Sequence, residues 1–199
     1  MKKGIVGVGG FGREVYWSLN QTERDNTVFF VDDEYWKQED EKVLPLSEFN
    51  SEEYEIVIAI GDPNLRKKIV KKLPENTKYF THIYPSVIIL DPNTQIGEGS
   101  IICAGTILTT NIKIGKHSHL NLHTTIGHDV TIGDFFTTAP GVKISGNCNI
   151  GNEVYVGTNS SIKEKIKITD SVTIGLNSGV VKNILEPGVY IGTPCKKIK

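Results

Sequence analysis

The stretch TIGHDVTIGDFF, residues 125–136, sets a histidine beside a carboxylate, His128 and Asp129. Neutral imidazole accepts a proton readily near pH 7. An adjacent carboxylate orients the ring and stabilises the imidazolium that forms. Such a pair suits removal of a proton from an attacking amine or hydroxyl. Taken alone, the dipeptide is weak, and a surface histidine is the simpler reading. HSHLNLH, residues 117–123, carries three more histidines and looks like a metal cluster when written in a line. GVGGFG near the start satisfies G-x-G-x-x-G through Gly7, Gly9 and Gly12, with Asp32 twenty residues beyond the last glycine. That spacing is a phosphate-binding fingerprint if a strand precedes it and a helix follows.

The elements that must position these residues come in two grains. Residues 1–83 alternate apolar β-rich runs (KGIVGV, TVFFV, EIVIAI) with helix-like segments (REVYWSLNQ and NLRKKIVKKL), ending in a short strand at KYFTHI. Leu65, Ile69 and Leu73 mark the apolar stripe of the second helix, and its lysines read as a solvated face. The pattern predicts a small parallel α/β sheet, a mononucleotide-binding half of a Rossmann fold. Only one half fits, so a nucleotide-sugar pocket is the better reading than a dinucleotide site. There the backbone N–H groups of Gly9, Gly10 and Phe11 approach a diphosphate. Asp32 or Asp33 accepts hydrogen bonds from the base or the sugar amine, and Gly61 admits the ligand to the sheet edge.

From residue 84 to 199 the period changes to six. Stepping from Leu90 to Val180 gives sixteen positions, of which Thr138 alone is not aliphatic, and glycine often follows directly. Neither helix nor ordinary strand has this period. A chain that turns a corner every six residues does, with three units to a coil and about five coils stacked. The aliphatic residues point inward. The glycines serve positive φ or close packing at the corners. Residues eighteen apart then stack about one strand spacing, ~4.8 Å, apart. By that rule His117 and His123 lie on consecutive faces and point apart. Satisfied or surface histidine is therefore the expectation for His117, His119 and His123, with no metal. Thr138 needs a partner for its inward hydroxyl, and a local irregularity of the coil is expected there.

This repeat resembles that of the hexapeptide-repeat acyltransferases, whose left-handed parallel β-helix forms trimers with active sites between neighbouring prisms. The whole chain resembles the sialic acid O-acetyltransferase-like branch, which includes bacterial enzymes that N-acetylate nucleotide-linked amino sugars. The glycine-rich start, the Asp-Asp after the second strand, the AIG at the third and G-H-D-V-x-I-G-D-F carry that resemblance. It implies His128 as general base, Asp129 as the acid that raises its basicity, and Asn121 as a polar neighbour. It assigns acetyl-CoA to backbone groups at Gly146, Thr158 and Leu176. Gly146 is also 128 + 18, and Leu176 is 158 + 18. A second histidine that contacts the acetyl group in relatives is replaced by Thr137, whose hydroxyl can still donate a hydrogen bond and is expected among the acetyl-CoA contacts, and Phe11 stands where many relatives have histidine. The resemblance implies a homotrimer that transfers acetyl from acetyl-CoA to an amino group of a nucleotide-linked sugar. O-acetylation of sialic acid or another sugar, and a non-catalytic binding protein, remain the alternatives.

Composition adds exclusions. The chain has 199 residues, 38% hydrophobic, with a formal net charge of -1, which gives no reason to expect nucleic acid or an anionic membrane. No apolar run is long enough to span a bilayer. The start lacks the uninterrupted apolar core of a signal peptide, and the three cysteines are widely spaced. A cytoplasmic protein with buried free thiols is expected.

Overall fold

A computed structural model of the chain describes residues 1–38 and 40–199. The first unit is a five-stranded parallel sheet of β1 (Lys2–Val6), β2 (Thr27–Val31), β3 (Val43–Pro45), β4 (Tyr54–Ile58) and β5 (Lys78–Tyr79), in the order β3-β2-β1-β4-β5. Helices α1 (Gly10–Ser18), α2 (Gln21–Asp25) and α3 (Pro63–Lys72) connect them. The expected strands and both helical segments are present, while β3 carries too short an apolar run to be read from sequence. KYFTHI does not form one strand. It breaks after Tyr79, and His82–Ile83 pairs with Ile101–Ile102 of the second unit. Leu65 does not join the buried stripe of α3 and is 47% exposed; the buried positions of that helix are Pro63, Arg66 and Ile69.

The order of strands reverses between β1 and β4, which opens a crevice at their carboxyl ends. The glycines there have separable roles. Gly7 has φ +110°, a conformation that side chains resist. A Cβ on Gly12 would run into the Gly7 carbonyl, so helix and strand pack too closely for any other residue. Gly9, Gly10 and Gly61 face open space.

The second unit is a left-handed β-solenoid with a period of eighteen residues. Three sheets of two-residue rungs form its faces. The first face carries Ile107–Leu108, Thr125–Ile126, Lys143–Ile144 and Ser161–Ile162. The second carries Lys113–Ile114, Thr131–Ile132 and Asn149–Ile150, and the third His119–Leu120, Thr137–Thr138 and Tyr155–Val156. The aliphatic ladder from Ile102 to Val180 is buried in the prism. Each such side chain contributes ~1.5–3 kcal/mol of apolar transfer. Leu90 is an exception: it is 65% exposed, because Ile89 pairs with Leu108 and takes the inward place.

Two devices turn the corners. Every sixth residue from Gly99 to Asn177 has positive φ, including Asn111, His117, Asp129, Phe135 and Asn147. The glycines that directly follow the aliphatic ladder are not at those positions. A Cβ on Gly127 would come within 2.7 Å of the Gly146 nitrogen in the next coil, and one on Gly157 within 2.6 Å of the Leu176 nitrogen. Close stacking selects these glycines; φ selects the residue two places later. A second inward column, two residues before the ladder, includes Ile112, Val130, Phe136 and Val142 alongside Ser118 and Thr124. Its mixed composition hid it from a reading keyed to aliphatics.

Thr138 sits in a regular rung, paired with Leu120 below and Val156 above, so the expected irregularity is not found. Its hydroxyl accepts from the Asn121 N–H at 2.9 Å and meets the Thr124 hydroxyl at 2.8 Å. The Thr124 hydroxyl bonds onward to the Asn121 carbonyl. The partners are thus a backbone amide and a second threonine of the preceding coil.

Candidate active site

His128 lies on the corner between the first and second faces, exposed and pointing out of the coil. Its Nδ1 is 2.7 Å from Asp129 Oδ2. Asp129 is held at φ 59°, and its other oxygen accepts from Asn111 Nδ2 at 2.6 Å. These two contacts, Asn111 first, hold the Asp129 carboxyl below its ordinary value. An ionised Asp129 accepting from Nδ1–H leaves Nε2 as the free proton acceptor. Gly146 stands in the next coil directly over the ring: a Cβ there would come 2.7 Å from His128 Nε2. The structure therefore joins His128, Asp129 and Gly146 as one corner. Asn111 was not singled out from sequence, although 129 − 18 points to it.

Asn121, Thr158 and Leu176 occupy a different corner, between the third and first faces. Leu176 is 69% exposed, and its N–H-bearing backbone stacks over Gly157 beside Thr158. The Asn121 side chain accepts from the Leu122 N–H at 2.7 Å. Within one chain these residues do not meet the His128 corner.

Thr137 does not face an open groove, contrary to expectation. It is buried, and its hydroxyl accepts from Arg66 at 2.8 Å where α3 packs on the third face. The Phe11 ring likewise turns into this seam, 5.2 Å from the His119 ring. Its backbone N–H remains in the first turn of α1, a turn with no side-chain cap.

The crevice at the ends of β1, β2 and β4 is a cavity of about 300 Å³. Its walls include Val8, Phe30, Asp32, Tyr35 and Leu65. Asp32 also pairs with Lys72 at 2.5 Å, a mostly exposed ion pair of little energetic weight. Asp33 does not line the cavity. Its carboxylate accepts from the Ser47 hydroxyl and N–H, and those bonds hold its carboxyl below the ordinary value.

The three histidines of the run stand in different surroundings. Among the described residues no group of three or more His, Cys, Asp or Glu side chains converges. His117 is buried, stacked on Phe135 at 5.1 Å and edge-on to Tyr79 at 4.5 Å. Burial, aided by the charge of Arg66, pushes it down to about 4. His119 is buried too, with Nδ1 3.2 Å from Arg66, and burial holds it well below the ordinary histidine value. His123 is exposed at a corner. Cys103 and Cys148 are buried free thiols, and Cys195 is free and partly exposed. No helix among the described residues is long and apolar enough to cross a membrane.

Fold and site together define an acyltransferase of the hexapeptide-repeat class, with an exposed imidazole on a corner of the β-helical prism. Residues 4–73 match the PglD N-terminal domain family. The chain is 32% identical over 172 residues to GDP-perosamine N-acetyltransferase of Escherichia coli O157:H7, covering 81% of this chain and 77% of that protein. It superposes on WeeI from Acinetobacter baumannii AYE with TM-score 0.90, at 30% identity and full coverage of both chains. PerB from Caulobacter crescentus, solved with CoA and GDP-perosamine, shares the fold at 22% identity, TM-score 0.88, covering 100% of this chain and 98% of that one. The protein belongs to the hexapeptide-repeat nucleotide-amino-sugar N-acetyltransferase family.

Proposed function

We propose that this enzyme transfers the acetyl group of acetyl-CoA to the amino group of a GDP-linked amino sugar of the perosamine type. His128, oriented by Asp129, is the general base. The neutral amine attacks the thioester carbonyl, His128 Nε2 takes the proton released from nitrogen, and the CoA thiolate leaves and is protonated by the imidazolium. Backbone N–H groups in the groove, that of Gly146 among them, face the tetrahedral oxyanion. The observation that carries this reading is the His128–Asp129–Asn111 chain under Gly146, an aimed base with free access to solvent.

Substrate handling falls to residues 1–83 and acyl transfer to 84–199. Gly9, Gly10, the Phe11 amide and Gly61 receive the diphosphate and sugar, and Asp32 receives the base or ribose. Thr158 and Leu176 receive the pantetheine arm. The α/β unit on the third face and His128 on the opposite corner of the same prism support a homotrimer with each active site between subunits. Free thiols and the use of acetyl-CoA fit the cytoplasm.

Incubation with acetyl-CoA and GDP-, UDP- and dTDP-linked amino sugars, read by thiol release and by mass of the product, tests the reading. Amide formation with the GDP-linked sugar is expected. Turnover of sugar hydroxyls alone, or none with any amine, would contradict it.

A further inference from the structure

The helix NLRKKIVKKL contains one arginine among its lysines, and that arginine is fully buried. Arg66 reaches from α3 into the seam between the two units. Its Nε donates to the His117 carbonyl at 2.8 Å. One terminal nitrogen donates to the Ile60 carbonyl at 2.6 Å and to His119 Nδ1 at 3.2 Å. The other donates to the carbonyls of Phe135 and Phe136, at 3.0 and 3.2 Å, and to the Thr137 hydroxyl at 2.8 Å. No carboxylate is among these partners.

A buried cation without a carboxylate is costly, and apolar packing would stabilise a seam more cheaply. What the guanidinium adds is geometry, because its planar fork fixes direction as well as distance. Its partners come from three places that must keep register. Ile60 precedes Gly61 at the open end of β4, on the wall of the crevice. His117 and Phe135 are positive-φ corners of consecutive coils, eighteen residues apart. Thr137 opens the adjacent rung. Lys67, the next residue of the helix, pairs with Glu153 of the following coil and adds a second, more exposed tie.

We propose that Arg66 is a positioning residue: it locks the end of β4, and with it the sugar-nucleotide crevice, in register with the β-helix, so that the acceptor amine is presented to His128 of a neighbouring subunit. This rests on the acetyl-transfer reading above. Arg66 touches neither substrate nor reacting atoms. Its loss leaves both ligands able to bind and misplaces the amine.

The test compares wild type with Arg66→Lys, Arg66→Ala and Thr137→Val. Calorimetry with the GDP-linked sugar counts binding-competent sites, and kcat is expressed per such site. The proposal expects kcat to fall about tenfold or more in both Arg66 variants, the scale of a small misplacement. It expects KM for acetyl-CoA to stay within about twofold. Added guanidinium should restore part of the activity of Arg66→Ala, and Thr137→Val should show a smaller fall of the same kind. An unchanged kcat per site, or losses confined to the number of binding sites with no rescue, would overturn it. If Arg66→Ala does not fold, Arg66→Lys and Thr137→Val decide by the same criterion. A wild type inactive on every amino sugar would instead sink the acetyl-transfer reading, and this proposal with it.

Discussion

Asn111 and Asp129, eighteen residues apart in the chain, meet across two coils at 2.6 Å. Both are positive-φ corner residues, at 52° and 59°. The period of the solenoid thus stacks an amide under the carboxylate that faces His128. Asn111→Gly keeps the φ and removes the amide. The expected result is a fall in kcat of about fivefold, the worth of one such hydrogen bond of ~1 kcal/mol, with little change in melting temperature. Steady-state kinetics and a thermal melt check it; an unchanged kcat would remove Asn111 from the site.

Gly146 leaves room for the imidazole. Gly146→Ala would place a methyl group 2.7 Å from Nε2 and push the exposed ring aside. Activity should fall about ten- to a hundredfold. Stability should hardly move, because the ring can swing into solvent. A fully active alanine variant would mean that the ring is not held where the chemistry needs it.

Thr138→Val keeps the shape of the rung and strips the acceptor from the Asn121 N–H. A donor left without a partner costs ~1–3 kcal/mol, so the valine variant should be less stable despite its added apolar character. Thr138→Ser retains the hydroxyl and should lose only about 1 kcal/mol of methyl burial. Urea denaturation of the two variants distinguishes them; a valine variant as stable as wild type would show that the threonine pair is dispensable.

His117 gives the seam a pH dependence. Its folded value is about 4, against 6.5 when free in the unfolded chain. Between those values the unfolded state binds the extra proton, so stability rises with pH across this window. The contribution is complete above pH 6.5 and is lost on acidification towards 4. His119, also lowered by burial, acts in the same direction. His117→Asn suits the positive φ and removes one titrating group. Its stability should fall less steeply from pH 6.5 to 4 than that of wild type, as measured by urea midpoints. Parallel slopes would contradict the assignment.

The solenoid was legible because one inward aliphatic per six residues is a simple, nearly unbroken signal. The same spacing located Gly146 over His128. It did not reveal the second inward column, where serine, threonine and cysteine alternate with aliphatics. Nor did it separate the two jobs of the corners, since φ and close stacking fall on residues two apart. Applied backwards from Asp129, the eighteen-residue rule would have found Asn111. Arg66 had no such signal: in a lysine-rich helix it looks like one more solvated cation. Its burial follows only from how the α/β unit docks, a long-range fact that no local pattern carries. That docking also explains why the Thr137 hydroxyl, legible as a site group by resemblance, is engaged in the seam instead.

His128→Ala tests the central claim most directly. The measurement is kcat for acetyl transfer from acetyl-CoA to the GDP-linked amino sugar, with the melting temperature and oligomeric state recorded on the same samples. The account predicts a loss of at least about a hundredfold, the lower range for removal of a general base, with folding and assembly unchanged because the side chain points out of the coil. A variant that folds and assembles normally and turns over within about threefold of wild type, far short of a general base's contribution, would contradict it.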